Sequence, residues 1–347
     1  MKIAVVILNW DGLKLLKEFL PSVVKYSGNN PIYIIDNNSK DESVDFIKNN
    51  YPLIKIIRNE RNYGYAKGYN KGLEHVNEDI FCLLNNDVEV TSNWLDPVLQ
   101  EFNDDKLLSV VQPKILDYKN KNKFEYAGAA GGFIDYYGYP YCRGRIFNTV
   151  EDDKGQYDQN IDIFWASGAC FFIRKEVFNK LKGFDEHFYN HMEEIDLCWR
   201  ITNLNSNLKK KFIYKSVVFH LGGGSFDYHN PKKLFYNIRN HRWMIIKNTN
   251  VIPGFNFSLF QRLQIIHYIS ILYAINQLIF LKFIHFKEII KAIYTNYSYK
   301  DGYKILIEQN YMLLRKNNKK PKYYVIKSII YNYLFLKKTK YSDLNKS

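Results

Sequence analysis

The chain has 347 residues, 46% of them apolar and 17% aromatic, and its 49 Lys and Arg against 35 Asp and Glu give a formal net charge of +14. That apolar content excludes a disordered chain, and the length suits about two domains at roughly 150 residues each. Cys82, Cys142, Cys170 and Cys198 lie far apart without a C-x-x-C pair, which excludes a disulfide scaffold, a zinc ribbon and a thioredoxin-like site and fits a reducing compartment.

After Met1-Lys2 the apolar run Ile3 to Leu8 is shorter than the core of a secretory signal and reads as a buried first strand. Ile32 to Asp36, Ile54 to Arg58 and Ile80 to Leu84 are further strand patterns. Helix patterns alternate with them at Leu13 to Val24, Ser43 to Lys48 and Ala66 to Val76. This alternation predicts an α/β fold with an open, mostly parallel sheet and flanking helices. Such sheets bind ligands at the carboxyl ends of their strands. The residues there are Asn9, Asp36, Asn59 and Asn85-Asn86-Asp87. From Lys106 to about Gly224 the pattern turns to shorter strands, turns rich in Gly and Tyr, and a helix beginning near Met192. Beyond Asn230 long helical segments follow. The expected organisation is a catalytic unit over 1–228, split into 1–105 and 106–228, and a helical basic extension over 229–347.

Within that extension, Leu263 to Leu281 carries no formal charge but is at the lower edge of the ~20 residues needed to span a bilayer. Four of its polar residues, Gln264, His267, Ser270 and Gln277, fall on one arc of a helical wheel, which suits a core or interfacial helix. Phe286 to Ser347 holds 14 basic and 4 acidic residues, so most of the net charge sits at this end. Lysines such as Lys316, Lys319, Lys320, Lys322, Lys327, Lys337, Lys338 and Lys340 suit an anionic membrane surface, or reflect a general Lys-rich habit of the chain. No helix-turn-helix or RNA-binding motif accompanies them, so nucleic acid is not an expected partner.

Several clusters have residue types suited to chemistry. Asn85-Asn86-Asp87 offers hard oxygen donors for Mg²⁺ or Mn²⁺ and a diphosphate, although turn chemistry alone explains such a triplet. Asp36 is placed to accept hydrogen bonds from a nucleoside, while Asp41 reads as a helix cap. Gly64, Gly68 and Gly72 recur along one helix, where a missing Cβ permits close approach and free amides favour an anion. Their spacing is neither G-x-G-x-x-G nor a P-loop, which disfavours a dehydrogenase or an ATPase. Glu193, Glu194 and Asp196 crowd the start of a helix, where they either offset its dipole or supply a base. His220 closes a strand ahead of three glycines, and Arg239 and Arg242 supply cations for a diphosphate.

Taken together, these strand ends resemble family 2 glycosyltransferases of GT-A fold, in their rhamnosyltransferase-like branch, over roughly Lys2 to Asn248. Gly131-Gly132-Phe133-Ile134-Asp135 is similar to the acceptor-side segment of that branch, and Trp165-Ala166-Ser167-Gly168-Ala169 and Gly183-Phe184-Asp185-Glu186 resemble the lead into its catalytic helix. The resemblance implies that Asn9, Asp36, Asn62, Gly64, Asn70, Asn85, Asn86 and Arg242 form the nucleotide-sugar site, and that Asp87 and His220 hold Mn²⁺ or Mg²⁺. It implies that Glu194 is the general base, supported by Asp196. Asn85 stands where the family's first metal-turn carboxylate would be, which throws weight on Asp87. The Gln of the Gln-x-x-Arg-Trp motif of processive synthases is missing, so single addition is expected. The implied activity is inverting transfer of rhamnose or another hexose from a nucleotide-diphosphate donor to a hydroxyl of a cell-surface glycan or lipid-linked acceptor. The expected location is cytoplasmic, peripheral on the inner face of the membrane. A sugar-nucleotide nucleotidyltransferase and a non-catalytic basic membrane or nucleic-acid adaptor remain alternatives. Asn9-Trp10-Asp11-Gly12 lacks the Gly-rich basic loop that the nucleotidyltransferase would want.

Overall fold

A computed structural model describes residues 1–126, 128–222, 231–249, 257–298 and 323–344. The first half follows the apolar runs closely: β1 (Ile3–Asn9), α1 (Leu13–Tyr26), β2 (Ile32–Asp36), α2 (Ser43–Asn50), β3 (Lys55–Arg58), α3 (Gly64–Leu73) and β4 (Ile80–Asn85). The expected third helix begins two residues earlier and ends three earlier, and the Gly64 amide at its start donates to Asn62 Oδ1. β1 pairs in parallel with β2 and β4, and β2 with β3.

β5 (Val88–Val90), α4 (Asp96–Asp104), β6 (Leu108–Asp117), β12 (Cys170–Arg174) and β13 (Lys209–His220) extend this sheet, and β11 (Ile161–Asp162) closes its far edge. The order is β11-β13-β6-β12-β4-β1-β2-β3, with β5 on β13. β12 runs antiparallel to both β4 and β6, so the sheet is mixed there rather than continuously parallel. A second small sheet contains β7 (Gly132–Ile134), β8 (Pro140–Cys142), β9 (Arg145–Ile146) and β10 (Thr149–Val150).

Alternate residues of each central strand enter opposite cores, as pleating requires. Ile3, Val5 and Ile7 pack with Leu16, Leu20, Trp94 and Phe102 under α1 and α4. Ala4 and Val6 pack with Tyr69 and Leu73 of α3 and with α6 (Glu193–Leu204), which follows α5 (Lys175–Lys180). Gly68 and Gly72 serve this second layer. A Cβ on Gly72 would overlap Ile35, and one on Gly68 would lie 3.0 Å from Asn37 Nδ2 and 3.1 Å from Leu8 Cδ1. The glycine recurrence thus allows α3 to sit close to β1 and β2, and the expected anion role is corrected for these two positions.

The core does not break at residue 228. Trp243, Met244 and Ile245 of α7 (Pro231–Thr249) are buried in the same cluster as Leu197 and Trp199 of α6. α8 (Phe257–Ile279) and α9 (Phe283–Ser298) pack against α7, and among the described residues no helix is long and apolar enough to cross a membrane. The chain then returns to the acceptor side. Ile326, Tyr341 and Leu344, together with Ile329 of α10 (Ile329–Leu334), are buried with Phe133 and Tyr157. Asp135 accepts from the Ile329 amide at 2.8 Å, and burial pushes its carboxyl up to about 7 against that pull. Lys316, Lys319, Lys320 and Lys322 of the basic tail, and Gly223, Gly224 and Ser225 after His220, lie outside the described residues.

Candidate active site

The register puts the donor-side candidates in a row: Asn9 is opposite Asp36, and Leu8 opposite Asn85. Asn9 is buried and fully engaged. Its Nδ2 donates to Ser39 Oγ at 3.3 Å and Ser43 Oγ at 3.1 Å, and its Oδ1 accepts from Asn86 Nδ2 at 3.0 Å. It therefore braces three strand ends. Asp36 Oδ1 accepts from the Ser39 amide at 3.2 Å, and its Oδ2 lies 3.4 Å from Arg58 Nε.

Asn37, which the sequence reading passed over, is the hub of this edge. Its Nδ2 donates to Asn62 Oδ1 at 3.0 Å and Gly64 O at 3.1 Å, and its Oδ1 accepts from Asn59 Nδ2 at 3.0 Å and the Tyr63 amide at 3.2 Å. Asn62 Oδ1 in turn accepts from the Gly64 amide at 2.9 Å. Gly64 has φ +76°, and a Cβ there would lie 2.8 Å from the Tyr189 ring. Asn70 takes a different place. Its amide bonds both the carbonyl and the amide of Phe184, each at 2.9 Å, which ties α3 to the loop before α6. Arg242 is likewise directed elsewhere, into the packing of α7 against α8, where it donates to Leu263 O at 3.2 Å. Neither joins the strand-end cluster, because each serves an interface between elements.

On the metal side, β5 and β13 run antiparallel with Val88 opposite His220, and this brings Asp87 beside the imidazole. His220 Nε2 lies 3.2 Å from Asp87 Oδ1, and His220 Nδ1 lies 3.2 Å from Glu125 Oε1, all three residues being buried. Burial alone would depress the imidazole, but the two carboxylates overcome it and hold His220 up to about 10. Asp87 offers a hard oxygen for a divalent cation, but His220 would join it only after giving up its Nε2 proton. A carboxylate on the far imidazole nitrogen is the arrangement that orients metal-ligating histidines. Among the described residues no cluster of three or more such side chains gathers, so diphosphate and water would complete the shell, as is usual for Mg²⁺ and Mn²⁺. Glu125 had no local signal, since only the fold brings it to His220.

The third group sits at the head of α6. Tyr189, His191 and Met192 all have positive φ, between 61° and 72°, a concentration of backbone strain typical of functional turns. Asn240 of α7 braces the turn, its Nδ2 lying 3.0 Å from Phe188 O, 2.9 Å from Asn190 O and 2.7 Å from His191 O. Glu194 Oε2 is buried without a hydrogen-bond partner. Burial raises its carboxyl to about 7, although the amides of Glu194 and Ile195 at the helix start pull the other way. Burial, and then the charge of Glu194, also raise Glu193.

Asp196, two residues on, is the opposite case. It accepts from Arg200 Nε at 2.7 Å, Lys247 Nζ at 2.9 Å and Asn248 Nδ2 at 2.8 Å, and is fully buried. Lys247 also pairs with Asp185 at 2.6 Å. Burial would raise Asp185, but Lys247 and His187 hold it well below the usual carboxylate range. Asp196 thus pins α6 to α7.

Residues 3–182 match the family described as Glycosyl transferase family 2. The chain belongs to this family. Among the relatives of this family 2 glycosyltransferase, the low-salt glycan biosynthesis hexosyltransferase Agl10 of Haloferax volcanii is 24% identical over 211 residues, covering 59% of this chain and 63% of the relative. The N-acetylglucosaminyl-diphospho-decaprenol L-rhamnosyltransferase of Mycobacterium tuberculosis is 22% identical over 204 residues, covering 54% and 66%. The chain therefore spans just under two thirds of these relatives' length. GalNAc-T7, solved with UDP, GalNAc and Mn²⁺, superposes with a TM-score of 0.53 at 19% identity over 77% of this chain and 54% of its own. Staphylococcus aureus TarS 1-349 in complex with UDP gives 0.51 at 11% identity over 91% of each chain. The fold of the family 2 glycosyltransferase is thus of GT-A type, with a helical part following the catalytic sheet.

Proposed function

We propose that the enzyme moves a hexose, rhamnose or another, with inversion from a nucleotide-diphosphate donor to a hydroxyl of a cell-surface glycan or lipid-linked acceptor at the anionic inner face of the membrane. The observation that carries the mechanism is Glu194, a carboxyl with a buried, unpartnered oxygen held near neutrality at the head of a braced helix. Such a group is matched to removing a hydroxyl proton at physiological pH. In the single displacement, the acceptor oxygen attacks C1 as its proton passes to Glu194. The electron pair of the C1–oxygen bond leaves with the nucleoside diphosphate.

Asp36, Asn62, Gly64, Asn85 and Asn86 face the donor in this reading, on an edge held rigid by Asn9 and Asn37. Asp87 and His220 would hold Mn²⁺ or Mg²⁺, which when bound offsets charge developing on the leaving diphosphate. The relatives support the hexosyl class, and the GalNAc-T7 complex supports a nucleotide donor with Mn²⁺. The test is a thermal-shift and donor-hydrolysis panel of nucleotide sugars with and without Mn²⁺. One donor should stabilise the protein and hydrolyse only with the cation, and Asp87→Ala should abolish the cation effect. Cation-dependent hydrolysis that survives Asp87→Ala would remove Asp87 from the metal site.

A further inference from the structure

The α8–α9 hairpin is built inside out. Polar side chains of its helices face inward: Gln277 and Asn296 are buried, and Ser270 and His267 line a small cavity with Arg242 and Asn296. Leu259, Ile266 and Ile289 pack inward, yet many large apolar side chains face outward. Tyr268, Leu272, Ile275 and Ile279, spaced four, three and four apart, form one exposed stripe along α8. At the turn the exposure culminates, with Phe280 65%, Leu281 72%, Phe283 55% and Ile284 65% accessible. The turn is an ordered one. Leu281 has φ +57°, and its amide and that of Lys282 bond back to Leu278 O at 3.0 Å and Gln277 O at 2.9 Å. A well-formed tip of four consecutive-face apolar side chains is costly in water, and contiguous exposure of this kind marks an interaction surface.

We infer that this hairpin tip inserts among the headgroups of an anionic lipid bilayer. Outward apolar and inward polar faces suit an apolar surrounding, and the helices are too short or too polar to cross it, which leaves an interfacial position. Charge favours lipid over a second copy of the chain. Lys282 and Lys287 are exposed at the tip, Lys291 follows along α9 with its ammonium over the Phe235 ring, and Glu288 is the one carboxylate from Phe257 to Ser298. A rim of one sign repels its own copy and attracts anionic headgroups. In the described part of the basic tail Tyr341 and Leu344 are buried on the acceptor side, whereas Tyr331, Leu334, Phe335 and Leu336 are exposed near Lys337 and form a second, smaller apolar surface, so a fourfold variant at the tip is what assigns binding to the hairpin.

The inference rests on the membrane-side reading of the acceptor and is independent of the role of Glu194. The full chain should sediment with vesicles of phosphatidylcholine and phosphatidylglycerol, weakly with phosphatidylcholine alone, and less at high salt. Combining Phe280→Ser, Leu281→Asn, Phe283→Ser and Ile284→Ser should cut vesicle binding at least about tenfold while donor hydrolysis is kept. A single Phe283→Trp variant should gain fluorescence quenching by brominated acyl chains beyond that of the wild type. Failure of the wild type to bind either vesicle would overturn both the inference and the membrane-side reading. Undiminished binding by the fourfold variant, or no added quenching at Trp, would overturn the hairpin assignment alone. A wild-type dimer in ultracentrifugation that the fourfold variant abolishes, with no vesicle binding, would assign the tip to a second copy instead.

Discussion

Glu194 and Asp196 stand two residues apart on one helix, and their surroundings differ completely. Asp196 has two cations and an amide on its oxygens, whereas Glu194 has an oxygen with no partner. Every polar contact at Asp196 holds elements together, so its chemistry is spent inside the protein. A buried acceptor left unsatisfied calls for an explanation, and the neighbouring Glu193 Oε2 is in the same condition. The same division separates the amide lattice of Asn9, Asn37 and Asn62, which is saturated, from the strained turn that ends at Met192.

Exchanging the two carboxyls' roles is the sharpest way to break this contrast. Glu194→Gln should lower transfer about 10²- to 10⁴-fold, with a melting temperature equal to or above wild type because a buried charge is lost. Near-normal turnover would move the base elsewhere. Asp196→Ala should act on stability, since it leaves Lys247 and Arg200 buried with reduced compensation. A urea titration should show a loss of about 3–5 kcal/mol. A loss below ~1 kcal/mol would mean that the network is dispensable. The smallest change is expected at the donor edge. Asn37→Ala orphans partners on both sides and should cost about 1–3 kcal/mol, together with a higher KM for donor and little change in kcat. An unchanged KM would separate the lattice from donor binding.

Much of the fold was legible because buried parallel strands are continuous apolar runs, so β1 through β4 could be bounded to within a residue. The outer strands were not, since β9, β10 and β11 have only two residues each and no period of their own. Asp87, His220 and Glu194 stand out through the family resemblance rather than by residue type alone; the structure brings Asp87 and His220 within 3.2 Å and buries a Glu194 oxygen, and their roles are proposed ones. Site residues were illegible where a distant partner decides the role. Glu125 reaches His220 only through the pairing of β6 with β13, and Lys247 meets Asp196 across 51 positions of sequence. Arg242 is the converse case, a cation of the right type turned into a helix interface. For α8, periodicity revealed a polar arc, but only packing shows that the arc faces inward.

The central claim is that Glu194 is the base, and its pH dependence tests this most directly. A carboxyl raised to about 7 by burial is protonated and inactive below that value and ionised above it. The native state also binds more protons than the unfolded chain between the usual Glu value and about 7, so this group's contribution to stability declines as pH rises through that window. kcat/KM should climb with pH, level off above about 7, and lose that inflection in Glu194→Gln. A wild-type profile that is flat across neutrality, or an inflection that persists in Glu194→Gln, would contradict the account.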